Sequence, residues 1–395
     1  MTDAAMPRFP GDFAWGVSTS AYQIEGAVHE DGRGESIWDV FCRKPGAIKD
    51  GQTGDVAADH YHRWNIDIGL MAELGLTSYR FSIAWPRVQP LGKGPANEPG
   101  LDFYDRLADA LLARGITPVP TLYHWCLPQP LEDEGGWLAR DTAHRFAEYA
   151  ALAAERLADR IPLWITLNEA FVVTAFGYAL GIHAPGQELG LDALPTAHHQ
   201  LLGHGLAASA LRSSGARQVA IANNHSPAWP TSDDAGDVAA AQAYDTLHNR
   251  MFADPPLLGR YPDLAAFGWP VIPAGLTEML TTMKDRYGDR LPPVYITENG
   301  CSVRDEVAPD GTVDDQPRIS YLDSHLRALH AAMTAGVDVR GYFVWSLMDN
   351  FEWSEGFHQR FGLVHVDFET QRRTPKRSAL FYSEVIRSNG RSLAG

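Results

Sequence analysis

The sequence has few cysteines and no concentration of positive charge. Its three cysteines, Cys42, Cys126 and Cys301, lie far apart and form no Cys-x-x-Cys pair. A disulfide framework or a structural zinc site is therefore not expected. The formal net charge is -16 and no basic block is present, which argues against nucleic acid or an anionic membrane as a partner. Reduced thiols and an acidic surface are typical of a cytoplasmic protein.

Long apolar runs, export signals and repeats are lacking as well. No uninterrupted apolar stretch reaches the roughly twenty residues that a membrane-spanning helix needs. Residues 1–13 lack the basic segment and apolar core of a signal peptide, so we expect the cytoplasm to be the compartment. Low-complexity tracts, linkers and internal repeats are also missing. These absences predict a single domain over residues 1–395.

The sequence does contain a regular alternation of short apolar runs and amphipathic stretches. Seven strands are predicted over residues 13–20, 78–83, 117–122, 163–167, 218–222, 294–297 and 341–345. Eight helices are predicted over residues 59–74, 101–114, 142–157, 195–213, 234–251, 274–287, 321–335 and 378–386. This alternation predicts an α/β fold, either a parallel (β/α)8 barrel ringed by helices or a doubly wound open sheet.

The alternation is interrupted once, in the proline-rich residues 253–273. Residues 264–267 are too rich in alanine for a strand, and Val271 and Ile272 are enclosed by prolines. A barrel of this sequence is therefore predicted to be incomplete, with its sixth strand missing between Phe267 and Val271. Such a gap would leave two strand edges without partners.

Polar and aromatic side chains collect at or after the carboxyl ends of the predicted strands, where parallel barrels place their active sites. They are Gln23, Arg80, His124, Trp125, Asn168, Glu169, Asn224, Glu298, Trp345, Glu352 and Trp353. Taken singly, each of them is more often a core or surface residue. Their recurrence at successive strand ends favours one common site.

Two of these residues, Glu169 and Glu298, form the carboxyl pair that glycoside hydrolysis requires. Trp164 and Phe171 offer Glu169 an apolar neighbourhood that would keep it protonated, and Arg80 offers Glu298 a partner that would keep it ionised. We therefore predict Glu169 as the acid/base and Glu298 as the nucleophile.

The remaining residues suit a sugar, because polar groups can bind hydroxyls while indole rings stack on the C–H face of a pyranose. The predicted hydroxyl-binding residues are Gln23, His124, Asn168 and Glu352, and the predicted stacking residues are Trp345 and Trp353, with Trp125 beside them.

In these features the chain resembles the β-glycosidases of glycoside hydrolase family 1, from residue 9 to residue 382 with one interruption. The matching blocks are residues 13–16, 21–26, 79–87, 123–125, 166–169, 296–300, 345–353 and 360–364. The resemblance implies a (β/α)8 barrel, a retaining double displacement, and no cofactor or metal. It also implies the roles of Glu169 and Glu298 given above, and a sugar site formed by Gln23, His124, Asn168, Glu352 and Trp353.

The chain departs from the family pattern at three places. Ala170 and Cys126 stand where the family has proline and aspartate, and the sixth strand with its long following loop is absent. In the family that the chain resembles, the sixth strand carries a tyrosine that orients the nucleophile, and this chain would lack it. We expect the gap to be closed by local segments or by a partner subunit, which would make the protein a homo-oligomer.

The predicted function is that of a retaining β-glycosidase that hydrolyses unphosphorylated β-D-glucosides, extending to β-galactosides or β-fucosides. A carboxylate at Glu352 would repel a 6-phosphate group. Two alternatives remain open: a catalytically weakened sugar-binding or regulatory protein on the same scaffold, and net transglycosylation in place of hydrolysis.

Overall fold

The computed structural model of the protein describes residues 8–262 and 274–394. In this part of the chain, seven parallel strands form one sheet that curves into a nearly closed barrel. They are β1 (Ala14–Ser18), β2 (Ser78–Ser82), β3 (Thr117–Tyr123), β4 (Leu163–Asn168), β5 (Gln218–Ala222), β6 (Val294–Asn299) and β7 (Val339–Trp345). The strands lie in the order β5-β4-β3-β2-β1-β7-β6. The predicted incomplete (β/α)8 barrel is thereby confirmed, and the open sheet is excluded.

Amphipathic helices follow the strands and return the chain to the start of the next one. The longer helices are α1 (His60–Glu73), α2 (Glu98–Leu112), α3 (Asp141–Leu157), α4 (Leu194–Ser213), α5 (Ala235–Tyr244), α6 (Met251–Leu258), α7 (Ala274–Tyr287), α8 (Gln316–Thr334) and α9 (Arg377–Ser388). The single helix predicted over residues 234–251 is formed by α5 and a π-helical turn over Asp245–Arg250, and α6 continues it to Leu258. None of the helices in the described ranges is long and apolar enough to cross a membrane.

The barrel interior contains a cluster of buried apolar side chains from four of the strands. Val119, Leu163, Ile165, Ala222 and Phe343 form this cluster. Because side chains alternate along a strand, Trp164 faces away from Leu163 and Ile165. The expectation that Trp164 supplies the apolar neighbourhood of Glu169 is therefore wrong.

Strands β5 and β6 form the two edges of the sheet, and no described strand bridges them. The side chains of β5 from Gln218 to Ile221 are exposed or half-buried, whereas all of β2 is buried. The predicted strand deletion between Phe267 and Val271 lies outside the described residues.

The helices on the two sides of this gap contact each other directly. Three hydrogen-bonded pairs cross it: Tyr287 with Asp254 at 2.8 Å, Arg286 with Asp245 at 2.8 Å, and Trp229 with Glu278 at 2.6 Å. A cavity of about 290 Å³ remains between these elements. Segments of the same chain thus span the outside of the gap, which is one of the two arrangements expected from the sequence.

A small antiparallel hairpin that the sequence analysis did not predict follows the barrel. It pairs β8 (Val364–Asp367) with β9 (Arg372–Pro375). Asp349, which is fully buried, accepts hydrogen bonds from Lys376 at 2.7 Å and from Arg360 at 3.1 Å on either side of this hairpin. The hairpin thereby anchors the loop after β7, which carries two of the predicted sugar-binding residues.

Candidate active site

Arg80 lies at the centre of the site and ties three strands together. Its Nη1 pairs with the Glu298 carboxylate, its Nη2 donates to Asn168 Oδ1 at 2.7 Å, and its Nε donates to Thr121 Oγ1 at 3.0 Å. The guanidinium is only 1% exposed, so its position is fixed on every side. Glu298 is inside β6 rather than beyond its end, and it reaches the site because its side chain points into the barrel.

His124 follows β3 and has a proton position that its neighbours determine. Because Arg80 donates to Asn168 Oδ1, the Asn168 amide must donate through Nδ2, and His124 Nε2 lies 3.2 Å from that nitrogen. Burial and Arg80 hold the pKa of His124 well below its usual range, so the ring is neutral. Its proton is therefore on Nδ1, which is 3.9 Å from Glu298 Oε1 and has no other partner in the described part of the chain.

Glu169 follows β4 directly, with a left-handed backbone (φ 47°). Its N–H donates to the carbonyl of Ala222 at 2.8 Å, which fixes the turn against β5. Burial, together with the nearby charge of Glu298, raises the pKa of Glu169 to about 8. Arg80 and a hydrogen bond from Asn224 act in the opposite direction. At neutral pH, Glu169 is therefore mostly protonated.

Burial also raises the pKa of Glu298, but here the Arg80 guanidinium opposes the shift both through its charge and through a direct hydrogen bond. Within residues 8–262 and 274–394, Glu169 has no ion-pair partner of this kind. Arg80 thus favours the ionised form of Glu298, and burial favours the protonated form of Glu169. The roles of nucleophile and acid/base stay a prediction.

Gln23 and Glu352 form a polar corner opposite Arg80. Gln23 is fully buried in a short helix after β1, and its Nε2 donates to Glu352 Oε2 at 3.3 Å and to Asn350 Oδ1 at 3.2 Å. Burial and the charge of Glu298 raise the pKa of Glu352 to about 8. The expected repulsion of a 6-phosphate is therefore weakened near neutral pH, where Glu352 is largely protonated.

Aromatic rings form one wall of the site. The Trp353 ring centroid lies 4.6 Å from that of Trp125, 4.4 Å from that of Trp38 and 6.0 Å from that of His124. Trp345, the last residue of β7, is stacked on His124 at 5.8 Å. All the predicted aromatic residues thus meet in one region, and Trp38 joins them without having been predicted.

The sequence analysis missed further residues of this region. Asn350 was overlooked although it accepts a hydrogen bond from Gln23 and donates to Ser346 Oγ at 2.9 Å. His183 lies with its ring 5.6 Å from Trp125. Neither residue stands at a strand end, and only the spacing of Asn350, two residues before Glu352, could have indicated it.

Cys126 and Ala170, the two residues that depart from the family pattern, are both buried. Cys126 is buried beside Tyr22 and Glu25, and burial raises the pKa of its thiol to about 12, so it carries no charge. Ala170 is fully buried at the start of the turn that follows Glu169. Within residues 8–262 and 274–394, no group of three or more His, Cys, Asp or Glu residues is arranged to hold a metal ion.

Comparison with known families gives one consistent result. The sequence profile of glycosyl hydrolase family 1 matches residues 5–267 and 264–391. The two matched segments meet where the sequence analysis places the missing strand, which supports a deletion at that point.

Individual relatives agree with the profile. The chain is 43% identical to beta-glucosidase A of Acetivibrio thermocellus over 444 aligned residues, which cover 97% of this chain and 99% of that protein. It is 46% identical to thermostable beta-glucosidase B of Thermobispora bispora, over 97% of this chain and 91% of that protein. The first alignment is longer than the 395 residues of this chain, so the relative carries residues that are deleted here.

Among solved structures, the chain is similar to the beta-glucosidase of Thermotoga maritima in complex with glucoimidazole. The TM-score is 0.94 at 40% identity, and the superposition covers 97% of this chain and 99% of that chain. The barrel frame is therefore preserved despite the deletion.

Proposed function

The chain belongs to glycosyl hydrolase family 1, and we propose that it hydrolyses unphosphorylated β-D-glucosides, extending to β-galactosides or β-fucosides, with retention of configuration. The observation that carries this proposal is the pair of half-buried carboxyl groups at the mouth of the barrel, with Glu298 paired to Arg80 and the pKa of Glu169 raised to about 8 by burial. The names of the related proteins support glucose as the sugar.

In the first step, Glu298 attacks the anomeric carbon while Glu169 donates its proton to the departing aglycone oxygen. Arg80 holds Glu298 ionised and in place, and burial keeps Glu169 protonated until that proton is needed. We expect the two carboxyl groups to lie roughly 5 to 5.5 Å apart, the separation of retaining enzymes, which leaves no room for a water molecule between them. The C–O bond to the aglycone breaks as the ester to Glu298 forms.

In the second step, Glu169 removes a proton from water, and that water displaces the sugar from Glu298. Formation of the ester removes the negative charge of Glu298, which is one of the causes that raise the pKa of Glu169. The pKa of Glu169 therefore falls at the stage where it must act as a base. The proton balance closes because Glu169 is protonated again when the sugar leaves.

The sugar itself is held by the polar corner and the aromatic wall. Gln23, His124, Asn168 and Glu352 bind its hydroxyls, with the Nδ1–H of His124 as a donor directed into the site. Trp353 and Trp345 stack on its apolar face beside Trp125. Asn224 supports Glu169 from the side of β5. Neither step requires a cofactor or metal.

Release of nitrophenol from 4-nitrophenyl β-D-glucoside by the wild type and by Glu298→Gln tests the proposal. We expect the substitution to lower kcat by at least about 10⁴-fold, because the nucleophile is removed. Glu148→Gln, on the exposed face of α3, is the matched control and should retain full activity. A wild type as inactive as Glu298→Gln that still binds glucose would instead favour the sugar-binding alternative.

The assembly and setting of the enzyme are also proposals. We propose that residues 1–395 act as one domain in the cytoplasm, and that a second copy of the chain covers the part of the gap between β5 and β6 that the local helices leave open. The half-buried side chains of β5 support this pairing. Sedimentation velocity over a hundredfold concentration range would detect the dimer, and a monomer at every concentration would contradict it.

A further inference from the structure

Three residues on the β5 side of the site form a connected chain behind Glu169. The Tyr244 hydroxyl is hydrogen-bonded to His248 Nδ1, and His248 Nε2 lies 3.2 Å from Asn224 Oδ1. Asn224 in turn lies close enough to the Glu169 carboxyl to lower its pKa. Neither Tyr244 nor His248 stands at a strand end, and neither belongs to a block on which the family resemblance rests.

The direction of each hydrogen bond follows from chemistry. His248 is neutral, because burial lowers its pKa to about 3. A neutral imidazole has one N–H, and it must be on Nε2, because Asn224 Oδ1 can only accept; Nδ1 then accepts from the Tyr244 hydroxyl. That proton is donated to Asn224 Oδ1, so the NH2 group of Asn224 is the end that faces Glu169.

The local backbone holds His248 in this position. It lies in the π-helical turn over Asp245–Arg250, a geometry that places one side chain out of the normal helical register and recurs at functional sites. Its ring also packs against Phe171, two residues after Glu169, with the ring centroids 4.0 Å apart. His248 thus contacts both the residue that bonds Glu169 and the turn that carries it.

We propose that His248 is a positioning residue for the acid/base: by orienting the Asn224 amide, it keeps an N–H donor on the Glu169 carboxyl and so accelerates the hydrolytic second step. This inference rests on the proposed function, because it assigns a partner to Glu169 in its role as a base. An N–H donor stabilises the carboxylate, the form that must accept a proton from water. With the amide reversed, its carbonyl oxygen would face Glu169 and disfavour that form.

In the described part of the chain, few charged side chains lie near Glu169 and His248. Glu169 faces Glu298, Glu352 and Arg80, and His248 faces His225 and Asp245. None of these side chains is altered in the variants below. A change in the titration of Glu169 can therefore be assigned to the Asn224 amide.

The test compares His248→Gln with His248→Asn. Glutamine places an N–H donor near the position of Nε2, whereas asparagine reproduces only the Nδ1 position and loses the contact to Asn224. Two measurements are made against pH: kcat/KM for 4-nitrophenyl β-D-glucoside, and kcat for 2,4-dinitrophenyl β-D-glucoside, whose leaving group needs no acid. His198→Asn, at an exposed histidine bonded to Tyr261, is the control.

For His248→Asn, we expect the alkaline limb of kcat/KM to move up by about one pH unit, the size of one lost charged hydrogen bond. We expect kcat for the dinitrophenyl substrate to fall about tenfold, with KM falling in parallel as the glycosyl-enzyme accumulates. His248→Gln and the control His198→Asn should keep the acidic and the alkaline limb of the kcat/KM profile at their wild-type pH. Added azide, a nucleophile that needs no base, should restore kcat in His248→Asn.

Two results would overturn the inference. One is a pH profile of His248→Asn that matches the wild type; the other is an equal loss in both variants with unmoved limbs, which would mean a purely structural role. Failure of the proposed function itself would look different, because Glu169→Ala would then leave the wild-type profile unchanged.

Discussion

The Nη1 of Arg80 is bonded to both the side chain of Glu298 and the backbone of the residue before it. It pairs with the Glu298 carboxylate and also lies 3.2 Å from the carbonyl oxygen of Thr297. The carboxylate is 21% exposed and the guanidinium is 1% exposed. One buried cation therefore favours the ionised form of Glu298 and also fixes the direction of its side chain on the edge strand β6.

Arg80→Lys should separate these two effects. Lysine keeps a positive charge but loses the planar fork that reaches Glu298 and Asn168 together. We expect kcat/KM to fall about 10²-fold. Because the hydrogen bond from Arg80 lowers the pKa of Glu298 in addition to the charge, loss of that bond should raise the pKa and move the acidic limb of kcat/KM to higher pH. The measurement is the pH–rate profile with 4-nitrophenyl β-D-glucoside. Arg140→Lys, at an exposed arginine, serves as the control, and an unmoved acidic limb would contradict the prediction.

Glu169→Ala should affect substrates according to their leaving group. For a poor leaving group such as methanol, kcat/KM should fall about 10²- to 10⁴-fold, whereas the dinitrophenyl substrate should show little loss, because only the former needs a proton. Added azide should speed turnover and give a β-glucosyl azide, since azide attacks without a general base. Product analysis by NMR provides the measurement, and an absence of any azide product would argue against Glu169 as the acid/base.

The ionised form of Glu352 should destabilise the folded protein, and replacement of this residue should remove the effect. The folded pKa of Glu352, about 8, lies above the unfolded value, which is roughly 4.3. The folded state therefore binds the proton more tightly, and stability is lost as pH rises between these two values. Glu352→Gln should melt at least about 2 °C above the wild type at pH 9 and show little difference at pH 4. Thermal melts at both pH values test this, with the surface change Glu148→Gln as the reference. A difference of the same size at both pH values would contradict the assigned pKa.

Tyr287→Phe tests the closure of the gap by local helices. The Tyr287 hydroxyl donates to Asp254, which is 1% exposed and also pairs with Arg250. Loss of this bond leaves a buried carboxylate oxygen without its donor, which costs about 1 to 2 kcal/mol. We expect a fall in Tm of roughly 2 to 5 °C for a chain of this size. Tyr261→Phe, at a half-exposed tyrosine, should melt like the wild type, and equal melting temperatures for the two variants would exclude a closing role for Tyr287.

The alternation of strands and helices was predictable because it depends on local periodicity. The positions of Glu169 and Glu298 followed from it, since a side chain at the carboxyl end of a barrel strand has one mouth to face. Even the pairing of Arg80 with Glu298 could be anticipated from charge alone. The β8–β9 hairpin was missed because its strands are only four residues long and only Val364 and Val366 of β8 are buried apolar residues.

Contacts between residues distant in sequence could not be inferred from local periodicity or from residue type. His248 lies in a helical segment 79 positions after Glu169, and only the barrel brings it behind Asn224. The neutral state of His124 and the position of its proton depend on Arg80 and Asn168, which come from two other strands. Trp164 was misplaced because the sequence showed an indole close to Glu169 in the chain but not the face of β4 on which it lies.

The sequence by itself determined the family, the incomplete barrel and the two carboxyl groups, because each depends on residue types in a fixed order. Only the tertiary structure decided which further groups surround the Arg80 guanidinium, such as Asn168 and, beyond it, His124, since these contacts join different strands. It also decided how the flanks of the gap are joined, because hydrogen bonds such as Tyr287 to Asp254 form only after the helices have packed.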